Sequence, residues 1–419
     1  MNIGYFRNIQ LIDLRIKGGL ELKKKKLAGI FLSLSLAAGV LAGCGTNSSS
    51  DEEGSSSEGN KEETIKVGAN LELSGGVASY GQSILEGLEL AIEEINKEGI
   101  DGKKIELVKK DNKSEGPEAT SVALNLLTQE KVVASIGAAT SGNTIAQVQI
   151  ANTHQIPIIS PSGTNPDITF KDGKLNEFAF RTSFIDPFQG TVAANFASQE
   201  VKATKAAIYI DNASDYSKGL AAAFVEQFEA NGGTIVAREA YVAKETDFRA
   251  TLTLIKSAEP DFIFLPGYYE EVGLIVKQAR EAGLNVPIMG GDGWDSPTLV
   301  EIAGGEALNN TFITNHYSSG DPDPKIQDFV TAFKAKYSDK SPDAFNALGY
   351  DTGYFLADAI KRAGSTDSVK IKDALAATKG LELITGTFTL DDQHNPVKSA
   401  TILEFVNGEQ QFKTKIDPK

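Results

Sequence analysis

Over most of the chain, short apolar runs alternate with longer stretches in which apolar residues recur every three to four positions. The runs at 65–69, 105–108, 132–136, 157–159, 207–210, 262–265 and 286–289 have strand length and predict buried strands. Between them the spacing predicts helices over 83–96, 118–129, 144–152, 187–199, 219–230 and 271–282. In the first of these, Ile84, Leu88, Ala91, Ile92 and Ile95 form one apolar stripe, while Glu86, Glu89, Glu93, Glu94 and Lys97 fill a solvated face. Strand and helix in alternation imply parallel sheets covered on both faces, a doubly wound α/β arrangement. In such sheets ligands bind beyond the carboxyl ends of the strands, where the loops gather.

The amino terminus breaks this pattern. Lys23, Lys24, Lys25 and Lys26 precede an apolar run over 27–41 interrupted only by Ser33 and Ser35. That is a secretory signal in form, too short for a comfortable membrane span. It ends in Leu41-Ala42-Gly43-Cys44, which resembles the bacterial lipobox, so Cys44 is expected to be acylated after cleavage and to hold the chain at a membrane surface. Cys44 is also the only cysteine, which leaves no disulfide framework to compete for it. The mixed-polarity stretch from Met1 to Leu22 is unusual before such a signal and suggests a true start nearer Leu22. Residues 45–63 are rich in Ser, Gly, Asn, Glu and Asp and read as a flexible tether. The remainder, 64–419, is long for one core and natural for two domains.

Residues 1–43 hold seven of the 41 Lys and Arg and two of the 56 Asp and Glu, leaving 34 basic against 54 acidic side chains and a formal charge of −20. A surface so acidic repels nucleic acid, and no basic stripe is interleaved with aromatics.

Chemistry concentrates in the strand-end loops. Gly137-Ala138-Ala139-Thr140-Ser141-Gly142-Asn143-Thr144 joins a strand to a helix with small and hydroxyl-bearing residues, where backbone N–H groups and the helix dipole favour a carboxylate. Ser160-Pro161-Ser162-Gly163-Thr164-Asn165-Pro166 has the same character. In the second half, Asp215-Tyr216, Gly267-Tyr268-Tyr269 and Gly290-Gly291-Asp292-Gly293-Trp294-Asp295 each place an acid or an aromatic beyond a strand. Asp292 is suited either to accept a ligand ammonium or to bond its own turn. The oxygen ligands around it are too few and too irregular for calcium, and His154, His316 and His394 sit in unrelated segments and read as structural or surface residues, not a metal cluster. A dinucleotide fingerprint, a phosphate-binding loop and a nucleophile elbow are all absent, which argues against an enzyme.

From Thr64 onward the chain resembles the leucine/isoleucine/valine-binding proteins of ABC importers, which have the type I periplasmic-binding-protein fold. The resemblance rests on Leu73-Ser74-Gly75, Tyr80-Gly81, Ile95-Asn96 and Gly102-Lys103-Lys104-Ile105-Glu106-Leu107. It continues through Ile136-Gly137, the Ser141 loop, Arg181-Thr182, Tyr216-Ser217-Lys218-Gly219, the stretch from Asp261 to Tyr268, Gln278-Ala279-Arg280-Glu281-Ala282-Gly283 and Ile288-Met289-Gly290. It implies two doubly wound α/β lobes joined by a three-strand hinge. Lobe one would take 64–182 and 317–384, and lobe two 183–316 and 385–419, after a signal peptide at 1–43 and a tether at 44–63. Carried over by position, it implies that Ser141 and Thr164 bind an α-carboxylate beside the backbone of Ala139 and Ser162, with Thr164 also touching the ammonium. Asp292 stands where the family places its acidic ammonium partner, Tyr216 and Tyr268 close from the second lobe, and Tyr80 lines the side-chain region. Trp294 stands where relatives vary, either shrinking the pocket or stacking on an aromatic ligand. The implied partners are a small amino acid, most readily Leu, Ile or Val, a membrane permease and its ATPases. No cofactor or metal is implied, and the chain would be a monomer. An amide, urea or aromatic amino acid is the alternative ligand, and a sensory protein of the same fold the alternative role.

Overall fold

The computed structural model describes residues 64–418; the secretory run, Cys44 and the tether lie outside the described residues. In strand Thr64–Leu71 every residue from Val67 to Leu71 is buried. Continuous burial of this kind requires cover on both faces of a sheet, which is where parallel strands are stable. The first sheet orders Lys104–Asp111, Thr64–Leu71, Ala134–Ile136, Ile158–Ser160 and Ala179–Arg181, with every neighbouring pair parallel. In the second sheet Thr234–Tyr241, Lys205–Asp211, Phe262–Phe264, Ile288–Gly290 and Thr311–Asn315 follow in space, again all parallel. Numbered along the chain within each lobe, both orders run 2-1-3-4-5, so each lobe has one switch point between its first and third strands.

The expectation of wholly parallel sheets is corrected at one edge. Strands Ala400–Val406 and Glu409–Ile416 extend the second sheet antiparallel. Asn407 and Gly408, both at positive φ, form a two-residue turn between them, a connection that only antiparallel neighbours allow.

All six expected helices form, as Ala78–Glu98, Gly116–Asn125, Ser141–His154, Asp186–Gln199, Asp215–Ala230 and Tyr269–Glu281. Several begin one to five residues earlier than the apolar pattern indicates. The first is the largest displacement, because Val77 caps it without a side-chain hydrogen bond and so leaves no capping signature to read. After Arg181 the chain passes to helix Asp186–Gln199, which packs on Asp215–Ala230 in the second lobe. After Asn315 it returns, and helix Ala344–Ala363 packs along Ala78–Glu98 in the first lobe. A third passage leads from hairpin Leu381–Leu383 and Gly386–Phe388 to Ala400–Val406. Buried Lys398 ties two of these passages together, with Nζ 3.3 Å from Thr182 O and 2.5 Å from Thr385 Oγ1. Burial pulls its ammonium down to about 7, opposed by the charge of Asp351.

The contact between Ala78–Glu98 and Ala344–Ala363 closes the first lobe around residues distant in sequence. It depends on backbone touching backbone: a Cβ on Gly349 would stand 2.2 Å from Ile84 O, and one on Gly87 would stand 1.9 Å from Asn346 O. Alanine in a helix is favoured over glycine by up to about 1 kcal/mol, whereas forcing an atom into a packed contact costs about 1–3 kcal/mol. Gly349→Ala should therefore destabilise the fold by a net of about 1–2 kcal/mol, read as a lower urea midpoint of unfolding. A midpoint at or above wild type would mean that these helices separate without cost.

Candidate functional site

The loops at the two switch points face each other across one cleft. On the first-lobe side, the fully buried Glu72 follows strand Thr64–Leu71. Its carboxylate accepts from Ala139 N (2.9 Å), Thr140 N (3.1 Å), Thr140 Oγ1 (2.9 Å) and Asn143 Nδ2 (2.9 Å). Glu72 thus takes the two backbone amides just ahead of helix Ser141–His154 and locks the hydroxyl loop in place. The amide of Ala139, expected to face a ligand, is already engaged. Ser141 Oγ accepts from Thr164 N and Asn165 N, both at 3.2 Å, so its own proton remains available to donate. Ser162 Oγ donates to Ala139 O at 2.7 Å, which holds the two hydroxyl loops against each other.

On the second-lobe side, Asp292 opens a tight turn after strand Ile288–Gly290 and is buried. Tyr216 OH (3.0 Å) and Gln189 Nε2 (3.1 Å) donate to its Oδ1, and His316 Nε2 lies 2.9 Å from its Oδ2. Gln189 Oε1 in turn accepts from Asp292 N (2.8 Å) and Thr314 Oγ1 (2.6 Å). The His316 ring stacks on Phe184, with centroids 3.8 Å apart. Burial pulls its pKa down to about 4 despite the hydrogen bond to Asp292. At neutral pH it is therefore a neutral donor that brings no positive charge to the acid.

Aromatic rings form the remaining wall. Tyr216 stacks on Tyr268 at 5.2 Å, and Tyr80 stacks on Phe345 at 4.3 Å and meets Tyr268 edge-on at 5.7 Å. The Tyr80 hydroxyl donates to Gly293 O across the cleft. Tyr80, Ala139, Thr140, Ser141, Ser162, Tyr216, Tyr268, Asp292, Gly293 and Phe345 surround a cavity of only about 10 Å³, room for a single water at most. The lobes are closed upon each other, and admitting anything larger requires them to part. A far larger groove of about 920 Å³ lies elsewhere on the first lobe, from Glu94 to Tyr354 and the hairpin at Leu381, away from these loops.

Seven of the nine residues expected at the site are thus brought together. The other two stand apart from the cavity. Trp294 is fully buried beneath it, with Nε1 donating to Leu265 O at 3.0 Å, and serves to seat the turn. Thr164 is buried, its hydroxyl beside Asp186 but without a well-formed hydrogen bond.

The sequence reading missed Glu72, Gln189, His316, Phe345 and Asp186. Asp186 is fully buried at the start of helix Asp186–Gln199, and neither of its carboxylate oxygens has a protein hydrogen-bond partner. Burial pushes its pKa up to about 8, and the charge of Asp292 adds to the shift, while Thr164 and Arg181 oppose it. An acid opening a helix reads as an ordinary first-turn charge in sequence, so only its burial marks it. Among the described residues no group of three or more His, Cys, Asp or Glu is placed to hold a metal ion.

Two repeated α/β lobes that close polar loops and aromatic rings over one small cavity define a solute-binding protein, in which the ligand is enclosed between lobes. The chain belongs to the periplasmic binding protein family, whose sequence model matches residues 64–410. It is 31% identical over 332 residues to the leucine-, isoleucine-, valine-, threonine- and alanine-binding protein of Pseudomonas aeruginosa, covering 79% of this chain and 87% of that one. Among solved structures it is similar to a branched-chain amino acid transporter substrate-binding protein of Streptococcus pneumoniae in complex with isoleucine. The match has a TM-score of 0.80 and 44% identity, and covers 85% of this chain and 100% of that one. A leucine-binding protein of Thermotoga maritima matches with a TM-score of 0.80 and 37% identity over 85% and 99% of the two chains. The protein is therefore an extracytoplasmic solute receptor of the type I class, homologous to Leu/Ile/Val-binding receptors.

The depressed pKa of His316 has a measurable consequence. Unfolded, the imidazole takes up a proton near its ordinary value of 6.5, whereas folded it does so only near 4. Between those values the unfolded state binds more protons, so the stability contributed by neutral His316 is complete above pH 6.5 and lost as pH falls toward 4. Relative to His316→Gln, wild type should lose roughly 3 kcal/mol over that interval. Paired urea titrations at pH 7.5 and 4.5 showing parallel changes in both proteins would contradict this.

Proposed function

We propose that this protein captures leucine, isoleucine or valine between its lobes and delivers it to the permease and ATPases of an ABC importer, held at the membrane surface by a lipid on Cys44. In this reading the lobes comprise 64–182 with 317–384 and 183–316 with 385–419. The observation that carries the ligand assignment is the division of the cavity wall. Thr140, Ser141, Ser162 and Asp292 bring its polar groups, while Tyr80, Tyr268 and Phe345 are joined by ring contacts through Tyr80 and bring no ionised side chain. A charged ligand side chain would lose its hydration there without a partner, at a cost of several kcal/mol. An apolar side chain gains from the same wall. The relatives in complex with isoleucine and named for leucine support the same class of ligand.

Ser141, held from behind by the Thr164 amide, would bind the ligand carboxylate together with the backbone near Ser162. Asp292 would accept the ammonium, and Tyr216 and Tyr268 would close over it. Since the Ala139 amide is bound to Glu72, the contribution of Ala139 would be to shape the loop rather than to donate. Calorimetry with the twenty amino acids tests the assignment: Leu, Ile and Val should bind, separated by about 1–3 kcal/mol at most, and Asp, Glu, Lys and Arg should not. A charged amino acid giving the strongest binding, with leucine silent, would overturn it.

Within that screen Asp292→Ala leaves a buried ammonium without its acid and should weaken binding by more than about a hundredfold. Ser141→Ala should cost less, roughly 1.5–3 kcal/mol. An Asp292→Ala protein within threefold of wild type would remove that residue from the site.

The anchor is tested separately. Cys44→Ala should move the protein from the membrane to the soluble fraction; equal partitioning of both forms, with residues 23–43 retained, would refute acylation.

A further inference from the structure

The turn that presents Asp292 also reaches into the opposite lobe, through residues that do not line the cavity. Asp295, which follows the turn and is buried, accepts from Ala344 N through Oδ2 at 2.8 Å. Ala344 is the first residue of helix Ala344–Ala363, and the next residue, Phe345, is the ring stacked on Tyr80 in the cavity wall. The other Asp295 bonds lie within the second lobe or at the crossing: Asn315 Nδ2 to the same oxygen at 2.9 Å, and Gln410 Nε2 to Oδ1 at 2.6 Å. Asn315 Oδ1 accepts from His316 N at 2.8 Å, and His316 bonds Asp292. The carboxylate that grips the first lobe is thereby linked through two side chains to the acid facing the cavity. One residue further on, Ser296 Oγ lies 2.8 Å from Ser79 Oγ in the first lobe. Tyr269 OH, also from the second lobe, accepts from Ser79 N at 3.3 Å.

We propose that Asp295, together with the Ser79–Ser296 pair, is a clasp that sets the balance between open and closed lobes, and so sets affinity without setting ligand choice. The proposal rests on the reading of the protein as a receptor that closes on an amino acid. A contact made only between lobes, and not to the ligand, changes the fraction of molecules competent to enclose any ligand. It therefore scales every affinity by one factor. Asp295 acts here as a positioning residue, because it touches the helix that carries Phe345 and not the cavity itself. The cross-lobe ion pair Lys244–Glu115 is a natural contrast: 3.5 Å apart with side chains 79% and 59% exposed, it is the kind of surface pair that contributes little.

The experiment uses the full chain carrying Cys44→Ala, which has no cysteine because Cys44 is the only one in the chain. Spin labels on Ser121→Cys and Ala250→Cys, exposed positions on first-lobe and second-lobe helices, report the lobe separation with and without ligand. Asp295→Asn replaces one acceptor oxygen by an NH2 donor and sets it against at least one of the donors Ala344 N, Asn315 Nδ2 and Gln410 Nε2. It should weaken Leu, Ile and Val by the same factor, about tenfold or more, through faster dissociation. The label distances should shift toward the open form both free and at subsaturating ligand. Ser79→Ala should do the same more weakly, about two- to tenfold, and carries the test if Asp295→Asn does not fold. Lys244→Ala should stay within about twofold. Unequal factors for the three ligands, or label distances identical to wild type in the variants, would overturn the clasp. If wild type binds none of the three amino acids, the ligand assignment falls instead. The label distances of the free proteins then decide the clasp alone: a shift in Ser79→Ala supports it, and no shift overturns it.

Discussion

A carboxylate withdrawn from water is tolerated only where donors occupy its lone pairs, and the second-lobe face of the cleft is organised by how Asp292 meets that requirement. Its donors come from three separate elements: Tyr216 from helix Asp215–Ala230, Gln189 from helix Asp186–Gln199 and His316 from the crossing after Thr311–Asn315. Gln189 returns the favour to the Asp292 amide and takes the hydroxyl of Thr314 as well. Moving any one of these elements would leave a buried polar atom unsatisfied, at about 1–3 kcal/mol each. None of the donors is a cation, since burial holds His316 neutral at physiological pH. The network therefore fixes the acid's position while leaving its charge uncompensated. That is the state in which an incoming ammonium gains most.

The first lobe solves the same problem with opposite chemistry. Glu72 is as buried as Asp292, yet its four donors belong to the hydroxyl loop itself, including two backbone amides. Its effect is to shape a loop rather than to face the cavity. The shared 2-1-3-4-5 order puts a switch point at the cleft in each lobe, so one architectural rule places both loop sets. What differs is which residues the sequence supplies there: small hydroxyls at Thr140, Ser141 and Ser162, against aromatics and an acid at Tyr216, Tyr268 and Asp292. A repeated fold thus yields hydroxyl loops on one side of the cleft and an acid among aromatics on the other.

Seven of the ten parallel strands and six of the helices were legible because apolar period and length agree, as in the short continuous run 262–265; Ala179–Arg181, Thr234–Tyr241 and Thr311–Asn315 were not marked. The antiparallel edge was not, since Glu409–Ile416 is mostly exposed and its residues carry little apolar signal. At the site, residues in strand-end loops were legible from glycine, hydroxyl and aromatic clusters. Those that reach the cleft from within a helix or a crossing were not. Gln189 sits one turn into a helix whose pattern reads as ordinary packing, and His316 follows Thr311–Asn315, a strand the apolar pattern did not mark. Phe345 resembles any core aromatic. Trp294 shows the converse, a conspicuous residue in the right loop whose indole is spent on holding that loop down through Leu265.

Closure and recognition draw on different atoms, and the magnitudes explain why both are needed. Moving a two-state equilibrium from almost all open to almost all closed takes about 5.5 kcal/mol of preference for the closed form. A single hydrogen bond contributes about 1 kcal/mol net, and one to a charged group about 1.5–3 kcal/mol. The direct bonds between lobes include Tyr80 to Gly293, Asp295 to Ala344, Ser79 to Ser296 and to Tyr269, and Asn165 to Asp215, and together they bring closure within reach. A ligand that touches both faces at once adds to that preference. Under the proposed assignment, a molecule with an anionic end for the hydroxyl loops and a cationic end for Asp292 would do so. Its apolar remainder would settle against Tyr80, Tyr268 and Phe345 and need no further bond. An α-amino acid with an apolar side chain would meet all three demands, whereas a ligand lacking either charged end would leave one lobe ungripped.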